Sequence, residues 1–189
     1  MSGPALGIAL IALAAGYNLL LPALGYLRGH PHWLRLWAFL FVVSLALPCA
    51  DWMLVQRMHT LQFPDHGAPR LGGVVPVYFM GMWVMLLWPV CWLALATRRP
   101  YGIAALLALC GFVLWEWAAR PLALWHAVDV KMVAGFALYP LIPEMLLTIA
   151  ALWLWTTVSQ RSVLTQIAAA LAVPVFYAGA LSLALTWIG

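Results

Sequence analysis

Charge is what this sequence is short of. Only 7% of its 189 residues are Asp, Glu, Lys or Arg, while 67% are hydrophobic; soluble domains carry roughly 25% charged residues. An ordinary water-soluble domain is excluded, and a protein of the bilayer is the expectation. The three cysteines, Cys49, Cys91 and Cys110, form no C-x-x-C, so neither a zinc site nor a redox pair is indicated. Isolated thiols in apolar surroundings read as small hydrophobes. A nucleophile elbow, a P-loop and a dinucleotide fingerprint are missing as well. His30-x-His32 and the group His59, Asp65, His66 lack the helical spacing of metal sites in bundles. They read as loop residues at a headgroup surface, and no metal or cofactor is expected.

Long apolar runs are what the sequence has instead. Six stretches, approximately 5–27, 33–55, 74–97, 101–120, 132–157 and 163–188, each approach or exceed the roughly 20 helical residues that cross a hydrocarbon core. Connections are short, so one all-α polytopic bundle of about six transmembrane helices, spanning 1–189 as a single domain, is the expected architecture. The first stretch has no basic n-region and is long for a signal h-region, which reads as a retained helix. Arg28, Arg35, Arg98, Arg99 and Arg161 fall in odd-numbered connections, with Arg57, Arg70, Arg120 and Lys131 on the other side. The positive-inside rule then puts the odd connections in the cytoplasm and both termini outside. The formal charge of +4 needs only anionic headgroups for partners, and no nucleic acid. A bacterial inner membrane is the expected setting; a homo- or hetero-dimer stays open.

The five acids (Asp51, Asp65, Glu116, Asp129 and Glu144) all collect toward the side that carries connections 2–3 and 4–5, together with His59, His66 and His126. The other side has bases and no acids. A polar-mouthed cavity entered from one face is the expectation, with Glu144 at its floor. On these boundaries Glu144 lies some eleven residues into the fifth stretch, near mid-bilayer. An ionised carboxylate there costs about 2.5–3.5 kcal/mol, so the neutral acid is the form the site tolerates, and a neutral acid in a dry cavity is a proton donor. Pro140 and Pro143 would distort the helix and free carbonyls beside it. The competing account is that Glu144 only bonds to another helix. Glu116 and Arg120, four apart, equally suit a plain salt bridge, and Asp51 suits a helix-end acid facing water.

Twelve tryptophans are the other excess. Trp33, Trp37 and Trp187 fit an interfacial belt. Trp83, Trp88 and Trp92 lie deeper, and Trp115, Trp117 and Trp125 bracket Glu116. Indole faces stabilise desolvated cations by about 2 kcal/mol or more, which suits an acid that protonates an alkene. Asn18 in the first span reads as an interhelical hydrogen-bonding group.

The stretches "ADWMLVQRMHTLQFPDHGAPRLGGVVPVYFMGMW" and "WEWAARPLALWHAVDVKMVAGFALYPLIPEMLL" run in nearly the same order. Asp51-Trp52 matches Glu116-Trp117, Gly73 matches Gly135, and Pro76 matches Pro140 or Pro143. A duplicated three-helix unit is the outline this suggests. On Glu116, Trp125, Gly135 and "IPEMLL", the chain resembles the small integral-membrane lycopene cyclases of the heterodimeric or fused bacterial, archaeal and fungal type. "FVLWEWAARPL" is similar to the Trp-Glu helix of the small fungal membrane terpene cyclases. The resemblance implies proton-initiated cyclisation of a polyene without redox change, with an apolar isoprenoid or lipid as substrate. Where that family has a second glutamate this chain has Met145, so the acid pair would be completed by Glu116 or Asp51. Glu144, Glu116 and Asp51 are thus the candidate catalytic residues. Trp117, Trp125, Trp83, Trp52, Tyr78 and Tyr139 are the candidate substrate-binding ones. Two other readings remain: a proton-coupled lipid or solute transporter hinged at the proline pair, and a scaffolding subunit of a membrane complex.

Overall fold

The computed structural model describes residues 3–189 and is all-α. Six helices follow in order: α1 (Pro4–Leu27), α2 (Pro31–Met58), α3 (Phe79–Leu95), α4 (Pro100–Leu122), α5 (Leu141–Val158) and α6 (Val163–Ile188). Three of them open on a proline, at Pro4, Pro31 and Pro100, where the missing N–H would have had no helical partner. Among the described residues five helices are long and apolar enough to cross a membrane. The chain is therefore a multi-pass membrane protein with the lipid bilayer as partner. The sixth, α3, has 17 residues and reaches about 25 Å, a little short of the hydrocarbon core.

Helices α2 to α6 form a ring in which each packs on the next and α6 returns to α2; α1 lies outside, against α2 and α3. Hydrophobicity cannot drive helices together in lipid, so close approach of small residues matters. Ala104, Ala108, Ala151 and Ala170 are fully buried at these seams. Asn18 ties α1 down. Its Nδ2 donates to Ala14 O at 2.8 Å and to Gly81 O at 2.9 Å, and its Oδ1 accepts from Trp37 Nε1 at 3.1 Å. One amide thereby joins three helices.

Two of the expected spans begin too early. Residues 74–78 and 132–140 are not helical, because each connection folds into a small hairpin: β2 (Arg70–Leu71) with β3 (Val75–Pro76), and β5 (Met132–Val133) with β6 (Phe136–Ala137). Positive φ at Gly72 and Gly73, and at Ala134 and Gly135, closes the two turns. The connections also pair with each other, β1 (Leu61–Gln62) antiparallel to β4 (His126–Ala127). Glu144 consequently stands in the first turn of α5 rather than at mid-bilayer. Pro140 and Pro143 open that helix instead of breaking it, since proline is tolerated in a first turn. The proline pair that the transporter reading took as a hinge thus lies at the start of α5 and not within it.

The internal repeat is visible in the backbone. Asp51-Trp52 and Glu116-Trp117 precede equivalent strands 61–62 and 126–127, and residues 67–73 then follow the course of 129–135. Within that last stretch the left-handed positions coincide: Gly67 with Asp129, Gly72 with Ala134, Gly73 with Gly135. After hairpins that differ by one residue in the turn, α3 and α5 start at the matching positions 79 and 141, which sets Met82 level with Glu144. The unit that repeats is helix, hairpin connection, helix.

Replacing the Asn18 amide by an isosteric apolar group, Asn18→Leu, would strand the Trp37 N–H and the Gly81 carbonyl in an apolar seam. The expected loss is about 1–3 kcal/mol, read as a lower thermal midpoint in detergent together with earlier proteolysis around residues 28–31.

Candidate active site

A cavity of about 280 Å³ lies inside the ring, roofed by the paired connections. Three carboxyl groups face it: Asp51 from α2, Glu116 from α4 and Glu144 from α5. Asp51 and Glu116 sit about 10 Å inside the ends of their helices, level with the start of α5. No cation pairs with any of them within 4.0 Å; Arg70–Asp65 is the ion pair found among the described residues. The plain Glu116–Arg120 salt bridge is therefore not formed. Arg120 instead donates from Nη1 to Ala134 O at 3.1 Å and lies 5.4 Å from the centre of the Phe136 ring.

Two of the acids are held by indoles. Trp83 Nε1 donates to Asp51 Oδ2 at 3.3 Å, and Trp125 Nε1 donates to Glu116 Oε1 at 3.0 Å. Glu144 differs. Its residue is 7% exposed, and its Oε2 is fully buried without a hydrogen-bond partner among the described residues. Such an orphan costs about 1–3 kcal/mol; His66 Nδ1 and the Tyr78 hydroxyl are buried without a partner as well, but of the three only Glu144 lines the cavity. Its place in the first turn puts the positive end of the α5 dipole beside the carboxyl, where negative charge is favoured. Although three acids share the cavity, no three His, Cys, Asp or Glu groups among the described residues come together closely enough to hold a metal ion.

Aromatic rings make most of the remaining wall. Trp83 packs edge-on against Tyr177 at 5.8 Å between centroids and lies 5.9 Å from Phe112; Trp125 meets Phe79 at 5.8 Å. Tyr139 shares a hydrogen bond with Thr60 at 3.3 Å. Burial pushes the Tyr139 phenol up to about 12, so it stays an O–H group at any working pH.

Of the residues expected from sequence, the cavity brings together Asp51, Glu116, Glu144, Trp83, Trp125 and Tyr139. Trp52, Trp117 and Tyr78 stand elsewhere. Trp117 is 66% exposed because it follows Glu116 by one residue, which turns it about 100° around the helix. Trp52, equally displaced from Asp51, lies against Gly72 and 5.9 Å from the Arg57 guanidinium. Tyr78 is buried against Phe79. Sequence reasoning missed Phe112, Trp115, Arg120, His126 and Tyr177 as lining residues. Phe112 and Arg120 were detectable, standing four before and four after Glu116 on one helical face. Tyr177 left only the trace of a hydroxyl in a run of aliphatic residues.

One family's sequence model, described as a domain of unknown function (DUF6989), matches residues 48–188. The chain belongs to that family. Every residue that lines the cavity falls inside the matched segment, whereas α1 and most of α2 precede it. No curated protein and no solved structure matches the chain.

If the cavity is built for chemistry, Glu144 is kept there at the expense of stability. Glu144→Met, which installs the side chain found at the equivalent position Met82, is expected to raise the thermal midpoint in detergent, by about 1–3 kcal/mol of stability. A lower midpoint would mean that the carboxyl holds the helices together.

Proposed function

We propose that the chain is an integral-membrane cyclase or isomerase of an isoprenoid lipid, started by protonation of an alkene or an epoxide. The observation that carries this reading is the unpartnered carboxyl oxygen of Glu144 in a cavity walled by aromatic rings. The likeness of its motifs to the membrane lycopene and terpene cyclases supports it from the sequence side.

The chemistry balances without any redox partner. The Glu144 O–H bond breaks as a C–H bond forms at one end of the alkene, leaving the cation on the neighbouring carbon. With an epoxide the proton goes to oxygen and a C–O bond breaks. A second alkene closes the ring by donating its π electrons. Loss of a proton to a carboxylate then forms the new double bond. The faces of Trp83 and Trp125 would shield the cation, and Asp51 and Glu116, oriented by those same indole N–H groups, would lower its energy and accept the final proton. The α5 dipole would stabilise the carboxylate that Glu144 becomes after donation. A volume of about 280 Å³ is at the small end of ligand pockets, so it would take the reacting end of a long isoprenoid rather than all of it.

The decisive experiment expresses the chain in a host that makes carotenoids and prenyl lipids, and compares lipid extracts by mass spectrometry. Wild type should yield a product with the mass of its precursor and a changed retention time. Glu144→Gln should reduce it at least 100-fold, the low end for loss of a general acid. Trp125→Leu should reduce it about 30-fold, if one desolvated cation–π contact contributes about 2 kcal/mol. An unchanged product profile for Glu144→Gln would remove the reading.

A further inference from the structure

We propose that Arg120 and His126 form an anion subsite at the mouth of this cavity, so that its substrate is an amphipathic isoprenoid bearing a phosphate or carboxylate. The proposal rests on the cavity being the substrate site, and it goes further by fixing which end of the substrate faces water.

Both residues line the cavity, and both are exposed, whereas Asp51 and Glu144 are buried. The cavity therefore has acids within and two basic side chains at its rim. Arg120 stands one turn beyond Glu116 but forms no ion pair with it. Its guanidinium is seated by the second hairpin: on the Ala134 carbonyl at 3.1 Å, beside the Phe136 ring, and over Gly135, where an added Cβ would lie 2.6 Å from Nη2. A guanidinium has five N–H donors. One hydrogen bond to the protein leaves a fixed fork of the shape that takes two oxygens of a phosphate or carboxylate. His126 adds an imidazole from β4, whose position is set by pairing with Gln62.

The internal repeat points the same way. Met82 holds the place of Glu144, Leu61 that of His126, and Val55 or Gln56, in the π turn that ends α2, that of Arg120. At these matched positions the second unit carries an acid and two basic side chains where the first has none, although the first holds Arg57, His59, His66 and Arg70 elsewhere. The three of the second unit converge on one cavity. A bare hydrocarbon would give the two bases nothing to bind. A tail that reaches Glu144 and an anionic head held at the rim uses them all.

The test is quenching of tryptophan fluorescence in the full chain, reconstituted in phosphatidylcholine nanodiscs and titrated with farnesyl monophosphate or farnesol. The monophosphate should bind about 10- to 100-fold more tightly, as expected for charge-assisted hydrogen bonds. Arg120→Met should abolish that preference, Arg120→Lys should keep part of it, and Glu144→Gln should keep all of it. Equal binding of the two probes, no quenching by either, or a preference that survives Arg120→Met would overturn the proposal. Displacement of the probe by inorganic phosphate at similar concentration would assign the subsite to a free ion, and displacement by phosphatidic acid in the disc to a bilayer lipid. Either result would overturn it as well. Product loss in Glu144→Gln without any head-group preference would leave the cyclase reading standing and sink only this one.

Discussion

The two connections at the acidic side of the bundle cannot leave backbone groups unpaired where lipid begins. They satisfy one another. Leu61 and Gln62 ladder with Ala127 and His126, and Val128 N donates to Thr60 O at 2.9 Å just beyond. Where the first connection has no strand partner, Arg70 supplies donors to the carbonyls of Phe63, Pro64 and Val74. The ladder has a spatial consequence. It joins the ends of α2 and α4, which are not neighbours in the ring, and so bridges the interior instead of filling it. Asp51 and Glu116, each about two turns inside those ends, then face the space that the bridge covers. The cavity follows from how the backbone is satisfied above it.

The two units are not supported alike. Helix α1 braces the first connection: Gly7 N donates to His66 O at 3.1 Å, and Gly67 lies against Pro4 with no room for a side chain on either glycine. Among the described residues nothing comparable covers the second connection, where Met132, Val133, Ala134 and Gly135 are all exposed. Strain is distributed in the same sense. The first connection meets its left-handed positions with Gly67, Gly72, Gly73 and one non-glycine, His59, while the second uses Ala123, Asp129 and Ala134 beside Gly135. For an alanine the conformation is less favourable than for glycine by roughly 1 kcal/mol. A closed, braced half and an open, strained half place the mouth of the cavity at the second hairpin, beside Arg120.

The helices were legible in the sequence because apolar runs of this length have few other uses, and the shared side of the acids was legible because so few charges exist to confuse it. Helix ends were not. Apart from Gly135, residues 132–140 and 74–78 are Val, Met, Phe, Ala, Leu, Tyr and Pro, and such short apolar runs suit a buried strand as well as a helix turn. Gly73 and Gly135 were matched from sequence, but a matched glycine does not announce a hairpin unless its φ is known. The facing of side chains was half legible. Acid followed by Trp looked like one unit, yet adjacent helical residues diverge, so Trp52 and Trp117 left the site while Phe112 entered it. Distances between helices had no trace in the sequence at all. That Trp83 of α3 reaches Asp51 of α2, or Trp125 reaches Glu116, depends on the ring.

Placing Glu144 in a first turn instead of at mid-bilayer strengthens the acid-base proposal. An acid buried at the centre of a long helix has no nearby field to receive the charge left when its proton departs, and no short path by which to regain one. At the start of α5 the aligned peptide dipoles supply the field, and the rim with Arg120 and His126 opens on water. Pro143 completes the arrangement. It stands directly before Glu144 and removes one of the free N–H groups that a helix start would otherwise offer to a carboxylate. The carboxyl is left with an unpartnered oxygen and a favourable dipole, a combination in which the field contributes most once negative charge develops. That is the condition for stabilising the transition state of proton donation more than the resting acid.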